Sequence, residues 1–138
     1  MVDTRFSVSV QIMMSLAYHS DELMNSEQLA GVLKTNSTFI RKLVSNLVEA
    51  GLVESFRGKG GGIRIAKDPK DISLKCIYLA ATEDKTLIKT HKKPVLKACP
   101  VSCCIDDVLC EIVDGIESTT QGFLAKKNLF DLLKKVKE

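Results

Sequence analysis

"TNSTFIRKLVSNLVEAGLVESFRGKGGGIRIAK", residues 35–67, decides the fold of this 138-residue chain. Its first part carries Phe39, Leu43 and Leu47 on one helical stripe, joined by Ile40 and Val44, and Gly51 marks the stop. The period then changes. Leu52 to Phe56 and Ile63 to Ile65 are short strand candidates, with Arg57-Gly58-Lys59-Gly60-Gly61-Gly62 between them. Glycine permits positive φ and close backbone approach, so this is a hairpin tip rather than packed structure. A phosphate-binding P-loop needs a Lys-Ser/Thr pair after the last glycine and a helix opening there, and the chain has neither.

Upstream, "NSEQLAGVLKT" opens on Asn25, which can accept from the free N–H groups of a first helical turn, with Gln28 at the reciprocal capping-box position. Leu29, Val32 and Leu33 give this helix its apolar face. Thr35, Asn36 and Ser37 then form a polar break, so the two helices resemble a helix-turn-helix. "RFSVSVQIMMSLAYHS" adds a leading helix with Phe6, Val10, Met13, Met14 and Ala17 at helical spacing. The expected fold is mainly α with a small β-hairpin wing: a winged helix-turn-helix followed by a long dimerisation helix.

Downstream, Asp71 to Ala81 is expected to be a short helix with Ile72, Cys76 and Leu79 inward. Lys85 to Lys97 holds five lysines, His91 and no acid, and reads as a solvated loop. From Ile105 the apolar positions Ile105, Val108, Leu109, Ile112 and Ile116 build one continuous stripe, too long for a small neighbour to cover. It is the expected homodimer interface. Asn128 restarts a C-terminal helix with Leu129, Leu132, Leu133 and Val136. The expected organisation is a DNA-binding domain over 1–82, a cysteine-containing loop over 83–104, and dimerisation and C-terminal helices over 105–138.

The net charge of +3 is mild, but its distribution is uneven. Residues 35–70 hold seven bases (Arg41, Lys42, Arg57, Lys59, Arg64, Lys67, Lys70) against three acids (Glu49, Glu54, Asp68). Residues 105–117 hold five acids and no base. A polyanion-facing surface is therefore expected on the first part only. Double-stranded DNA fits that surface. The second helix of the pair enters a major groove with Asn36, Ser37, Thr38, Arg41 and Lys42 at its leading end, and the wing offers Arg57, Lys59 and Gly60. No targeting signal is visible and no run approaches ~18 apolar residues, so a cytoplasmic protein without membrane contact is expected. The only histidines, His19 and His91, stand in no recognisable catalytic order, so an enzyme is not expected. A protein-interaction module on a winged helix is the alternative from a different class.

The quoted stretch resembles the DNA-binding core of the Rrf2 family of bacterial winged-helix regulators, in its recognition helix, "AGLV" and "RGKGGG" wing. The likeness extends over nearly the whole chain. Relatives include iron–sulfur, nitric-oxide and cysteine-metabolism regulators. The resemblance implies a homodimeric repressor on a palindromic operator, with readout at Asn36, Thr38 and Arg41 and on the wing at Arg57.

Four of the five cysteines fall between positions 99 and 110. Cys99, Cys104 and Cys110 give C-x4-C-x5-C, with Cys103 an additional candidate. In many members of the family, three cysteines of this region hold an iron–sulfur cluster, and the resemblance implies the same here, as 2Fe-2S or 4Fe-4S. Soft anionic thiolates suit such a group. Relatives with this spacing use an acid after "FT" or "FS", where this chain has Phe6-Ser7-Val8, and valine cannot ligate. Cys103, His91, Asp106 or Asp107 are the candidates to replace it. Zinc, a thiol/disulfide switch without a cluster, and unreactive small hydrophobes are the competing readings of the cysteines. Cys76 is expected in the core.

Overall fold

The computed structural model describes residues 3–86, 88–90 and 96–136. His91, a candidate fourth ligand, lies outside the described residues. Six α-helices and one hairpin follow in the order α1 (Arg5–Tyr18), α2 (Ser26–Leu33), α3 (Ser37–Glu49), β1 (Val53–Phe56), β2 (Gly62–Ile65), α4 (Leu74–Ala81), α5 (Pro100–Ala125) and α6 (Leu129–Leu133). The fold is the expected one, mostly helical with a two-stranded antiparallel wing.

Local chemistry sets these boundaries. Asn25 Oδ1 accepts from the Gln28 N–H at 2.8 Å while Gln28 Oε1 accepts from the Asn25 N–H at 2.9 Å, a reciprocal cap. Asn36 Oδ1 caps α3, accepting from Thr38 N–H at 2.7 Å and Phe39 N–H at 3.3 Å. At the other end Gly51 takes φ +78°, which lets the Leu52 N–H return to the Leu47 carbonyl at 3.0 Å. The wing pairs Val53 with Ile65 and Phe56 with Gly62. Met24 bridges Ile63, tying the chain before α2 to the wing's second strand. The core joins Ile12 and Leu16 of α1, Leu29 of α2, Leu43 and Leu47 of α3 and Ile77 of α4.

Several expectations are corrected. The helix expected over 71–81 is two elements. A 3-10 turn spans Pro69–Asp71, and Ser73 then caps α4, its hydroxyl accepting from the Cys76 N–H at 3.2 Å. That start rotates Leu74, Ile77, Tyr78 and Ala81 inward and leaves Cys76 exposed rather than in the core; Ile72 is buried as expected and Leu79 half-buried. The long helix begins at Pro100, not at Ile105. Proline at the first helical position has its ring pre-set for the helix and lacks an N–H that would have no partner there. Cys103 and Cys104 are therefore helical, Cys99 is the N-cap, and the loop expected up to 104 ends at 99.

The core formed by α1–α4 also takes in residues beyond 82. Leu124 and Leu129 are buried in it, the Leu74 N–H donates to the Lys127 carbonyl at 2.9 Å, and the Leu129 N–H donates to the Ile72 carbonyl at 2.9 Å. The end of α5 and α6 pack in the same core as α1–α4. Finally, α6 closes at Leu133, so Val136 is an exposed residue beyond it.

Candidate nucleic-acid interface and cysteine helix

A cleft of about 620 Å³ runs between α3 and the wing. Arg41 and Ser45 line it from α3, Ser55 and Arg57 from the hairpin, and Ser26 from the start of α2. Two expected DNA contacts from separate elements, Arg41 and Arg57, thus face one groove. Their guanidiniums can address phosphates or base edges together. Ser26, Ser45 and Ser55 were not expected. Ser45 follows Arg41 by one helical turn, a spacing visible in the sequence, whereas Ser26 reaches the cleft only because Met24 is pinned to Ile63.

Not every expected contact is free to act. Asn36 is exposed, but its carbonyl oxygen is spent on capping α3, leaving its NH₂ as the outward group. Ser37 and Thr38 occupy the first turn of α3, Thr38 exposed. Lys42 turns toward the end of α4, where its Nζ lies 3.2 Å from Glu83 Oε1. The hydrogen bond from Lys42 holds the Glu83 carboxyl below the ordinary carboxylate range.

Lys59 and Gly60 stand exposed at the wing tip. The hairpin behind them is braced. Arg64 lies over the Phe56 ring, 4.8 Å from its centroid, and its Nε lies 3.3 Å from Glu54 Oε2. Gly61 is the tip's tight point, since a Cβ there would lie 2.2 Å from the Phe56 carbonyl oxygen. Gly61→Ala must therefore reshape the tip while leaving the core alone. The expected result is a loss of DNA affinity of about 1–3 kcal/mol with little change in melting temperature, measured by gel shift and thermal denaturation. Unchanged affinity would mean the tip does not touch DNA.

The cysteines do not converge. Cys103, Cys104 and Cys110 are exposed and Cys99 is half-buried. Cys104 and Cys110 sit ~9 Å apart along one helix and ~120° apart around it. Cys103 instead shares the Cys110 face, two turns and ~10.5 Å away. This corrects the expectation that Cys103 lies in the loop before the long helix. Cys110 lines a separate cavity of about 430 Å³ with Thr86, Ile88, Lys89 and Thr90. Among the described residues no group of three or more His, Cys, Asp or Glu side chains is placed to hold a metal ion. The donor chemistry suits a cluster; the placement of Cys99, Cys104 and Cys110 in one chain does not.

On the side of α5 away from the DNA-binding unit, Val108, Ile112 and Ile116 are exposed, with Val101 before them and Phe123 after. Ile105 and Leu109 are half-buried. No helix among the described residues is long and apolar enough to cross a membrane.

The family model for Rrf2, described as an iron-dependent transcriptional regulator, matches residues 2–135. The chain belongs to the Rrf2 family. YwnA of Bacillus subtilis (strain 168) is 32% identical to this Rrf2 protein over 133 residues, covering 96% of this chain and 97% of YwnA. The HTH-type transcriptional regulator NsrR of the same organism is 27% identical over 134 residues, covering 95% of this chain and 87% of NsrR. The solved structure of CymR (YrzC), the global cysteine regulator of B. subtilis, superposes with a TM-score of 0.66 at 23% identity. That match covers 99% of this chain and 98% of CymR, and it carries the fold. As an Rrf2 member the chain is a DNA-binding transcriptional regulator, and its relatives are regulators rather than enzymes.

Proposed function

We propose that this Rrf2 protein is a cytoplasmic, homodimeric repressor that reads a palindromic operator through α3 and the wing and changes its affinity with the chemical state of Cys99–Cys110. The observation that carries this reading is the cleft that brings Arg41 and Arg57 onto one face. Specific contacts come from Thr38, Arg41 and the Asn36 amide. Phosphate or minor-groove contacts come from Arg57, Lys59 and the backbone at Gly60. Ser37, Ser26, Ser45 and Ser55 supply hydroxyls along the same groove. Lys42 is held by Glu83 and contributes less.

The placed thiols favour direct thiol chemistry in this segment. Cys99 lies one turn before Cys103, its carbonyl accepting the Cys103 N–H at 3.2 Å. Cys110 is out of disulfide reach of Cys103 and Cys104 along the helix, because a bridge needs Cα atoms within ~7 Å. Apart from the strained bridge between the adjacent Cys103 and Cys104, an intrachain bridge within this segment therefore uses Cys99.

The second reading is the iron–sulfur cluster on Cys99, Cys104 and Cys110, with Cys103, Asp106 or Asp107 as the remaining donor. The family's description as iron-dependent favours it. It requires thiols that do not converge here to be brought together. Zinc on the same thiols is tested alongside it.

Operator selection from random duplex DNA, followed by gel shifts across a salt series, tests the DNA reading. Arg57→Ala is expected to weaken the selected operator by about 1–3 kcal/mol. An equal loss on all sequences would reduce Arg57 to a phosphate contact, and no loss would remove the wing from the interface. Anaerobic purification with iron, sulfide and zinc analysis separates the two cysteine readings. Metal-free protein whose operator affinity changes when a Cys99 disulfide forms supports the thiol switch. Stoichiometric iron and sulfide lost in Cys99→Ser, Cys104→Ser and Cys110→Ser supports the cluster.

A further inference from the structure

Cys103, Cys110, Glu117 and Leu124 recur every seven residues along α5. On an α-helix such positions drift only ~20° per step, so the four form one line. Val108 and Ile112 lie on the opposite side by the same geometry. One face of α5 thus carries exposed apolar side chains, and the other carries thiols at one end and anchors at the other.

The anchors are few. Leu124 is the one buried side chain of α5 among the described residues. Two turns earlier, the Tyr78 hydroxyl lies 2.9 and 2.8 Å from the two Glu117 carboxylate oxygens, to which it donates. Gln121 Nε2 donates to Glu117 Oε1 at 3.0 Å. Tyr78 is 1% exposed on α4, and its ring meets Phe6 of α1 edge-on at 5.9 Å. A hydrogen bond to a charged acceptor in a partly buried place is short-ranged and directional, whereas a single apolar contact tolerates rotation. Leu124 fastens α5 to the DNA-binding unit, and Glu117 sets its angle.

We infer that the Tyr78–Glu117–Gln121 contact is the positioning joint that fixes the angle of α5 against the DNA-binding unit and so sets the separation of the two recognition helices in the dimer. This rests on the dimeric operator-binding reading above. A dimer's half-site preference mirrors the spacing of its recognition helices, so the joint governs which operator spacing binds. The thiols lie on the same line as Glu117. A change at Cys110, which lines the cavity against Thr86, Ile88, Lys89 and Thr90, falls on the side of the helix that carries the joint.

The test uses the full chain with a selected palindromic operator, the same operator lengthened or shortened by one base pair between half-sites, and a single half-site. Wild type is expected to reject the altered spacings. Tyr78→Phe and Glu117→Ala should lose about fivefold or more of that discrimination, the order a charge-assisted hydrogen bond carries, with unchanged half-site affinity. Glu117→Gln, which can still accept from Tyr78, should restore most of it. Retained discrimination in both damaging variants would overturn the joint. If wild type selects no operator, the DNA reading fails separately. The joint is then judged by hydrogen exchange over residues 116–124: faster exchange in Tyr78→Phe supports it, and unchanged exchange overturns it.

Discussion

Ile112→Lys is expected to convert the protein to a monomer and to abolish tight operator binding. Ile112 is 53% exposed, Val108 51% and Ile116 43%, in a row on one side of a helix ~39 Å long. Isolated exposed apolar residues are ordinary, but a continuous stripe flanked on one side by Asp107 and Glu111 marks an interaction surface. In a two-fold dimer the substitution enters twice, and each unpaired ammonium would be buried against apolar side chains at a cost of several kcal/mol. Separating the subunits also removes the linkage between half-sites, which is worth ~10²–10⁴ in affinity. Sedimentation equilibrium and gel shifts on the palindrome check both parts. A stable Ile112→Lys dimer would move the interface to another surface. A monomer with full affinity would break the link between dimerisation and operator reading.

Much of the reading head was legible because its signals are local. The capping pair Asn25–Gln28, the α3 stripe, the stop at Gly51 and the glycine-rich turn each act within a few residues, and each appears where its chemistry predicts. What misled was competition between neighbouring signals. Asp71 looked like a helix start, yet Ser73 two residues later made the cap, and that shift moved Cys76 from the core to the surface. The change from loop to helix at Pro100 was hidden because cysteine is a weak helix former while proline reads first as a breaker. The site itself was less legible than the fold. Lys42 and Arg41 are adjacent and alike in sequence, but the helix turns them ~100° apart, and Glu83, far along the chain, meets Lys42. The cysteine spacing fixed which thiols are near in sequence, but not their directions, which depend on the helix starting at residue 100.

Leu129→Ala is expected to destabilise the whole DNA-binding unit by about 2–5 kcal/mol, the range for truncating a buried leucine. Leu129 is fully buried although it lies 47 residues beyond the boundary expected at 82. It enters through its own cap: Asn128 Oδ1 accepts from the Asp131 N–H at 2.8 Å, and the Asp131 carboxylate accepts from the Asn128 N–H at 3.1 Å. The backbone bonds between 127–129 and 72–74 then hold the turn against the start of α4. With a typical total stability of only ~5–15 kcal/mol, that cavity would consume a large share. The functional consequence follows from the connectivity. The C-terminal end of α5 is held in the core on one side by Leu124 and, beyond the turn, by Leu129, so loosening Leu129 also loosens the base of α5. Denaturant melts should show one cooperative transition at a lower midpoint, detected equally by probes in α1 and in α6. Two separate transitions, or loss of α6 alone with α1–α4 intact, would restore a DNA-binding domain that ends near residue 82.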